Sequence, residues 1–240
     1  MGRTIARLAL QDSAFRLTAV LEAGGHEAIG RAYGPILGQP LKSPLTVTDD
    51  ARRALGQGDV LIEFTAPAAT IAHARLARAL RKPMVIGTTG LAPAQLAVLR
   101  RAAKTIPLVV SPNMSLGVNV LFELARLAAG RLGRSFDAEV VESHHRQKKD
   151  APSGTAKRLA ETLAQARRQP AGAIPVHAIR AGDIVGDHTV ILAGSAERLE
   201  LTHRAHSRDV FAQGALNAAR FVVRQKPGLY DISDVLKGTR

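Results

Sequence analysis

Between residues 142 and 155 the chain reads Glu-Ser-His-His-Arg-Gln-Lys-Lys-Asp-Ala-Pro-Ser-Gly-Thr. Two imidazoles, His144 and His145, stand beside the cations Arg146, Lys148 and Lys149. Such a loop attracts an anion, and crowding of like charges eases release of a proton from Lys148, so His144 and Lys148 form a candidate proton-handling pair. The segment leaves a strand-like run and enters a helix start. There Ser153, Gly154 and Thr155 are expected to present free backbone N–H groups to a carboxylate. An isolated basic run is ordinarily a solvated loop; this one is set apart by a buried-type strand feeding straight into the histidines. A zinc site fails on inventory, because the two histidines are adjacent and the chain has no cysteine.

Two further loops have the composition of a ligand site. Gly87-Thr88-Thr89-Gly90 follows the apolar run Met84–Ile86, and Ser111-Pro112-Asn113-Met114-Ser115 follows Leu108–Val110. In open α/β sheets ligands bind outside the carboxyl ends of the strands, which is where both loops fall. Small residues let backbone approach a flat ring, while Thr and Asn offer directional hydrogen bonds. Glu22 closes another strand-like run, Arg16–Glu22, where a ribose-binding acid belongs in a dinucleotide fold. The glycine-rich loop that should precede it is represented only by Met1-Gly2.

The elements that must position these residues differ between the two halves. Residues 1–10 read as a helix with Ile5, Leu8 and Leu10 on its buried side. Val60–Phe64, Met84–Ile86 and Leu108–Val110 alternate with the helical stretches Ala68–Leu80 and Pro93–Lys104, with Pro67 and Pro93 at tolerated helix starts. That alternation predicts βαβ units and a parallel sheet. In the second half a helix over Leu121–Leu132, a strand over Ala138–Ser143 and a helix over Gly154–Ala166 are followed by three consecutive strand-like runs. These runs, Val176–Arg180, His188–Ala193 and Arg198–Ala205, predict an α+β domain with a mixed or antiparallel sheet. A helix over Val210–Arg224 then returns to the first domain, which places the boundaries near Ser115 and Val210.

Composition narrows the function classes. Hydrophobic residues make up 46 % of 240, enough for a packed core, and no apolar run reaches the ~20 residues of a membrane span. The absence of cysteine suits a reducing cytoplasm, and the first residues show no signal-peptide pattern. The net charge is +13, but arginine is spread along helix faces and aromatics are only 3 %, so a nucleic-acid partner is not expected.

The ordered segments VIGTTG (85–90), SPNMSLGVN (111–119), ESHHRQKKDAPSGTA (142–156), RAGDIVGDHTV (180–190) and HRAHSR (203–208) together closely resemble the dihydrodipicolinate reductase family of lysine and diaminopimelate biosynthesis. The resemblance implies an α/β chain: a Rossmann-like dinucleotide domain, residues 1–114 and 211–240, whose first strand is missing, and a substrate-binding and tetramerisation domain, residues 115–210. It implies hydride transfer from NADH or NADPH to a cyclic dicarboxylate, 4-hydroxy-tetrahydrodipicolinate, in a cytoplasmic homotetramer. Carried over by position, His144 and Lys148 handle protons. His145, Gly154, Thr155 and Thr89 contact substrate. Met1, Glu22, Gly87, Thr88, Thr89 and Ser111, Pro112, Asn113, Met114 hold the cofactor. Gln147 stands where some relatives have a third histidine. The match of Met1-Gly2 to the end of a glycine loop predicts weak cofactor binding and ~12–18 further residues upstream. A homologue that keeps the substrate pocket but binds nicotinamide poorly, and a basic nucleic-acid-binding protein, are the rival readings.

Overall fold

Short apolar runs that end on turn-forming residues dominate the first half of the computed structural model, which describes residues 1–41 and 43–238. The chain divides into two compact units, Met1–Met114 with Phe211–Arg240, and Ser115–Val210. The first unit opens with α1 (Gly2–Leu10), β1 (Val20–Leu21), α2 (Tyr33–Leu37), β2 (Val47–Thr48) and α3 (Ala51–Gln57). Then follow β3 (Leu61–Glu63), α4 (Pro67–Leu80), β4 (Met84–Ile86), α5 (Pro93–Ala103) and β5 (Pro107–Val110). Strands β3, β4 and β5 are parallel, with Leu61 opposite Met84 and Met84 opposite Leu108. Strands β1 and β2 form a separate parallel pair. Met84, Ile86 and Leu108 are fully buried and pack with Ala74, Ala77 and Leu99 of the flanking helices. Each such large side chain contributes roughly 1.5–3 kcal/mol by leaving water.

Two expectations fail here. The strand over Arg16–Glu22 shrinks to Val20–Leu21, because Asp12 folds residues 12–15 into a turn by accepting from the N–H groups of Ala14 and Phe15. On α1, Leu10 is exposed and Leu8 only half-buried, while Ile5, Ala6 and Ala9 fill the inner face.

The second unit contains α6 (Leu116–Leu132), β6 (Asp137–His144), α7 (Gly154–Ala166), β7 (Val176–Arg180), β8 (Asp187–Ala193) and β9 (Arg198–Arg204). Its sheet runs β7-β6-β8-β9, parallel at β6–β7 and antiparallel elsewhere, so it is mixed. Helix α6 begins five residues before the expected Leu121. Ser115 caps it by accepting from Val118 N–H at 3.2 Å, and Gly117 adds no Cβ where the His203 ring lies 2.9 Å away. Burial alternates along β6: Ala138, Val140, Glu142 and His144 face the helices, while Val141 and Ser143 face outward. The helix-facing side packs Val140, Val190 and Leu192 against Phe122, Leu159 and Leu163.

The returning segment supplies α8 (Asp209–Val222), β10 (Gly228–Tyr230) and α9 (Ile232–Gly238). Strand β10 extends the parallel sheet beyond β5, with Leu229 opposite Leu108. Arg220 of α8 pairs with Asp12 and lies over the Phe15 ring, 4.8 Å from its centroid. Among the described residues no helix is long and apolar enough to cross a membrane.

Candidate active site

Strand β6 delivers its last residue, His144, and the inward neighbour on the same face, Glu142, into the interior at the head of α7. Glu142 is fully buried. Its Oε2 accepts from His144 Nδ1, and its Oε1 accepts from Arg180 Nη2 at 2.7 Å and from Ser153 N–H at 3.2 Å. Burial by itself would push the Glu142 carboxyl up, but Arg180, His144 and the Ser153 N–H together hold it below its ordinary value. His144 moves down because burial disfavours its charged form; Glu142 opposes this, while Lys148 and Arg180 add to it.

His188 of β8 meets the His144 ring edge-on, with centroids 5.2 Å apart. Its Nε2 is 3.3 Å from Ser153 Oγ, which caps α7 by accepting from Ala156 N–H. Buried and next to His144, His188 is pushed down to about 4, so it stays uncharged near neutral pH. Glu142, His188 and His203 stand side by side across β6, β8 and β9. His203 repeats the arrangement at α6, with Nε2 3.4 Å from the capping Ser115.

The basic loop is pinned to the end of β7. Arg180 Nη2 donates to Asp150 O at 2.7 Å, Ala181 N–H to His144 O, and Arg146 N–H to Gly182 O. His145 faces Gln147, 3.1 Å from its Oε1. Lys148 is not surrounded by cations alone: its Nζ donates to Asp150 Oδ1 at 2.7 Å, and Lys148 in turn holds the Asp150 carboxyl below its usual range. The helix start also departs from expectation. Ser153 N–H is consumed by Glu142, so it is not offered to a ligand. Gly154, at the first helical position, is exposed, with nothing within 4 Å of an added Cβ; Thr155 is half-buried. A carboxylate can therefore approach the Gly154 end of α7 beside the basic loop.

In the first unit the sites fall at carboxyl ends of parallel strands. Gly87 and Thr88 follow β4, and Ser111 to Met114 follow β5. Thr88 turns inward, its Oγ1 2.8 Å from Thr70 Oγ1. Thr70 belongs to a network around buried Glu63, whose Oε2 lies 2.7 Å from His73 Nδ1 and whose Oε1 accepts from Thr65. Thr89 is exposed. Ser111 and Met114 are buried, and Ser111 Oγ closes a turn by donating to Asn113 O at 2.8 Å, so Pro112 and Asn113 form the reachable part of that loop. Glu22 follows β1, donates its N–H to Thr48 O and accepts from Ala23 N–H at 2.9 Å. Met1 precedes α1 without a side-chain cap.

Glu142, Arg180 and His188, and the network of Glu63, Thr70 and His73, were not assigned roles from the sequence. The signal for Glu142 was available: in a strand whose alternate residues are Ala138, Val140 and His144, position 142 shares their face.

Comparison with known proteins matches residues 1–114 to the family model "Dihydrodipicolinate reductase, N-terminus" and residues 117–236 to "Dihydrodipicolinate reductase, C-terminus". A 4-hydroxy-tetrahydrodipicolinate reductase of Syntrophus aciditrophicus is 44 % identical over 98 % of this chain and 94 % of its own length. One from Nitrosomonas europaea is 43 % identical with the same coverage. Among solved structures, a dipicolinate-bound dihydrodipicolinate reductase from Paenisporosarcina sp. TG-14 matches with a TM-score of 0.76 at 25 % identity, covering 96 % of this chain and 92 % of that one. An amine dehydrogenase from Mycobacterium smegmatis shares the fold, with a TM-score of 0.62 at 13 % identity.

Proposed function

This chain belongs to the dihydrodipicolinate reductase family, and from that we propose that it reduces 4-hydroxy-tetrahydrodipicolinate to tetrahydrodipicolinate with NADH or NADPH. The observation that carries the reading is the His144–Glu142 pair, buried at the mouth of a basic loop and beside the start of α7. The solved relative is described as binding dipicolinate, a flat ring dicarboxylate. A ligand of that class suits one carboxylate at Gly154 N–H and a second among His145, Arg146 and Lys149. The dipole of the 13-residue α7 adds to the attraction. His144 then offers Nε2, and Lys148 offers Nζ, to the atom that takes a proton during reduction. General-acid help of this kind is worth ~10²–10⁴-fold.

The first unit's residues fit a dinucleotide. The first N–H groups of α1, which no side chain caps, suit the pyrophosphate, and Glu22 suits the ribose hydroxyls. At the nicotinamide end Thr89, Pro112 and Asn113 are reachable, while Gly87, Thr88, Ser111 and Met114 shape the loops from beneath. When bound there, reduced nicotinamide supplies the hydride. The assay that tests the function follows oxidation of reduced nicotinamide with substrate generated in the cuvette; no oxidation above background with either cofactor would reject it.

NADH is expected to serve at least as well as NADPH. Ala23, Gly24 and Gly25 follow Glu22 without a cation, and a Cβ on Gly24 would stand 3.6 Å from the Asp49 carboxylate. A 2′-phosphate would meet two acids there. His26 uses its Nδ1 to accept from Ala28 N–H at 3.1 Å. Catalytic efficiencies with the two cofactors decide the matter. A strong NADPH preference would refute the reading.

The homotetramer belongs to the same proposal. The outer face of the mixed sheet carries Val141 and Ile191, with Ile179 46 % exposed on its edge strand β7. An apolar sheet face of this kind is suited to a second copy of the same sheet. Val141→Lys is expected to lower the sedimenting mass. A variant that sediments like the parent would remove this face from the assembly.

A further inference from the structure

Glu142 is a buried carboxylate with three donors and no contact with solvent, and its two oxygens divide the labour. Oε2 holds only His144 Nδ1, while Oε1 holds the guanidinium of Arg180 and the Ser153 N–H. An ionised carboxylate can only accept, so the imidazole nitrogen facing it must carry a hydrogen. That leaves Nε2 as the working nitrogen of a neutral ring. The opposite side of the ring agrees: a Cβ at Gly186 would stand 3.0 Å from His144 Nε2, so glycine there keeps that nitrogen clear. His188, edge-on at 5.2 Å, fixes the ring plane.

We propose that Glu142 is the positioning residue of the reduction: it fixes His144 as the Nδ1–H tautomer and steadies the ring when Nε2 carries a proton. The proposal rests on the reading of His144 as a proton-handling group. The same carboxylate, through Ser153 and Arg180, sets the first residue of α7 and the Asp150 end of the basic loop. One buried charge thereby aligns the proton donor with the carboxylate-binding backbone. Orientation of an imidazole by a carboxylate on its other nitrogen is a general device.

The charged and titratable groups facing His144 are Glu142 on β6, Arg180 on β7, Lys148 on the loop and His188 on β8. Only Glu142 favours the imidazolium; Lys148 and Arg180 disfavour it, and His188 is uncharged near neutral pH. Removing the Glu142 charge therefore makes His144 lose its proton at lower pH. If the protonated ring is the donor, activity falls as pH rises through its titration, and in Glu142→Gln that limb moves to lower pH. At neutral pH kcat is expected to fall on the order of 10–100-fold with KM little changed. Glu142→Asp, which keeps the charge, is expected to keep the parental limb while losing part of kcat.

A Glu142→Gln protein with parental kcat and an unmoved limb would overturn the proposal. So would Glu142→Asp behaving like Glu142→Gln, because that would make shape alone the requirement. Nitrogen-15 NMR of His144 in the unaltered protein gives a reading that depends on neither variant folding nor substrate turnover. A protonated Nδ1 with bare Nε2 is expected near neutral pH. The reverse tautomer would overturn the role of Glu142 even if the protein reduces substrate, and the expected tautomer would stand even if it does not.

Discussion

Replacing His144 by alanine will lower turnover by ~10²–10⁴-fold, and replacing Lys148 will do the same, a loss of about 3–5 kcal/mol of transition-state stabilisation in each case. The two variants are expected to part company in stability. Lys148 pairs with Asp150 at the surface, where such a pair is worth ~0–1 kcal/mol, so Lys148→Ala should melt close to the parent. His144→Ala leaves Glu142 buried with Arg180 and Ser153 N–H still bound but one acceptor site empty, at a cost of ~1–3 kcal/mol. Turnover measured beside thermal melting separates the two effects. A Lys148→Ala enzyme with near-parental turnover would remove Lys148 from proton delivery and leave His144 alone. Parental turnover in His144→Ala would end the assignment of this loop as the proton source.

The loop that carries these residues was readable because its chemistry is local: a run of cations, a serine before a helix start and a strand leading in are all consecutive in the chain. The mixed sheet was readable for a similar reason, since consecutive strand-like runs without helices leave few ways to pair. What escaped was non-local. Arg180 and His188 reach Glu142 and Ser153 from strands 38 and 35 residues further along. No spacing rule links such positions. The Glu63–His73–Thr70–Thr88 network likewise joins β3, α4 and the loop after β4, so no local pattern in the sequence announces that the Thr88 hydroxyl faces Thr70. The short pair β1–β2 was half missed because each strand contributes two residues, too few for an alternation to register. In α1 an alanine face hid the buried stripe, since periodicity searches weight Leu8 and Leu10 above Ala6 and Ala9.

Gly214→Ala will destabilise the first unit, although helix propensity alone argues the opposite. Alanine is favoured over glycine by ~1 kcal/mol inside a helix, and Gly214 lies within α8 with an ordinary helical backbone. The contact decides the sign. A Cβ at this position would stand 1.7 Å from the carbonyl oxygen of Met114 and 2.7 Å from its carbon. That neighbour is backbone, which has no rotamer to move into, and Met114 itself is 1 % exposed. Either α8 or the Ser111–Met114 turn must shift by more than an ångström, and overpacking of this kind costs roughly 1–3 kcal/mol or more. For a chain of this size each kcal/mol lowers Tm by ~2–4 °C. Displacement of Met114 would also be felt at Asn113, so protection by reduced nicotinamide should weaken in the variant. Gly130→Ala supplies the control. It too replaces a glycine inside a helix, α6, but the glycine is exposed and nothing lies within 4 Å of the new Cβ, so this change is expected to raise Tm slightly. A Gly214→Ala protein that melts at or above the parent would show that α8 yields without cost and that the close approach to Met114 does not hold the Ser111–Met114 turn in place.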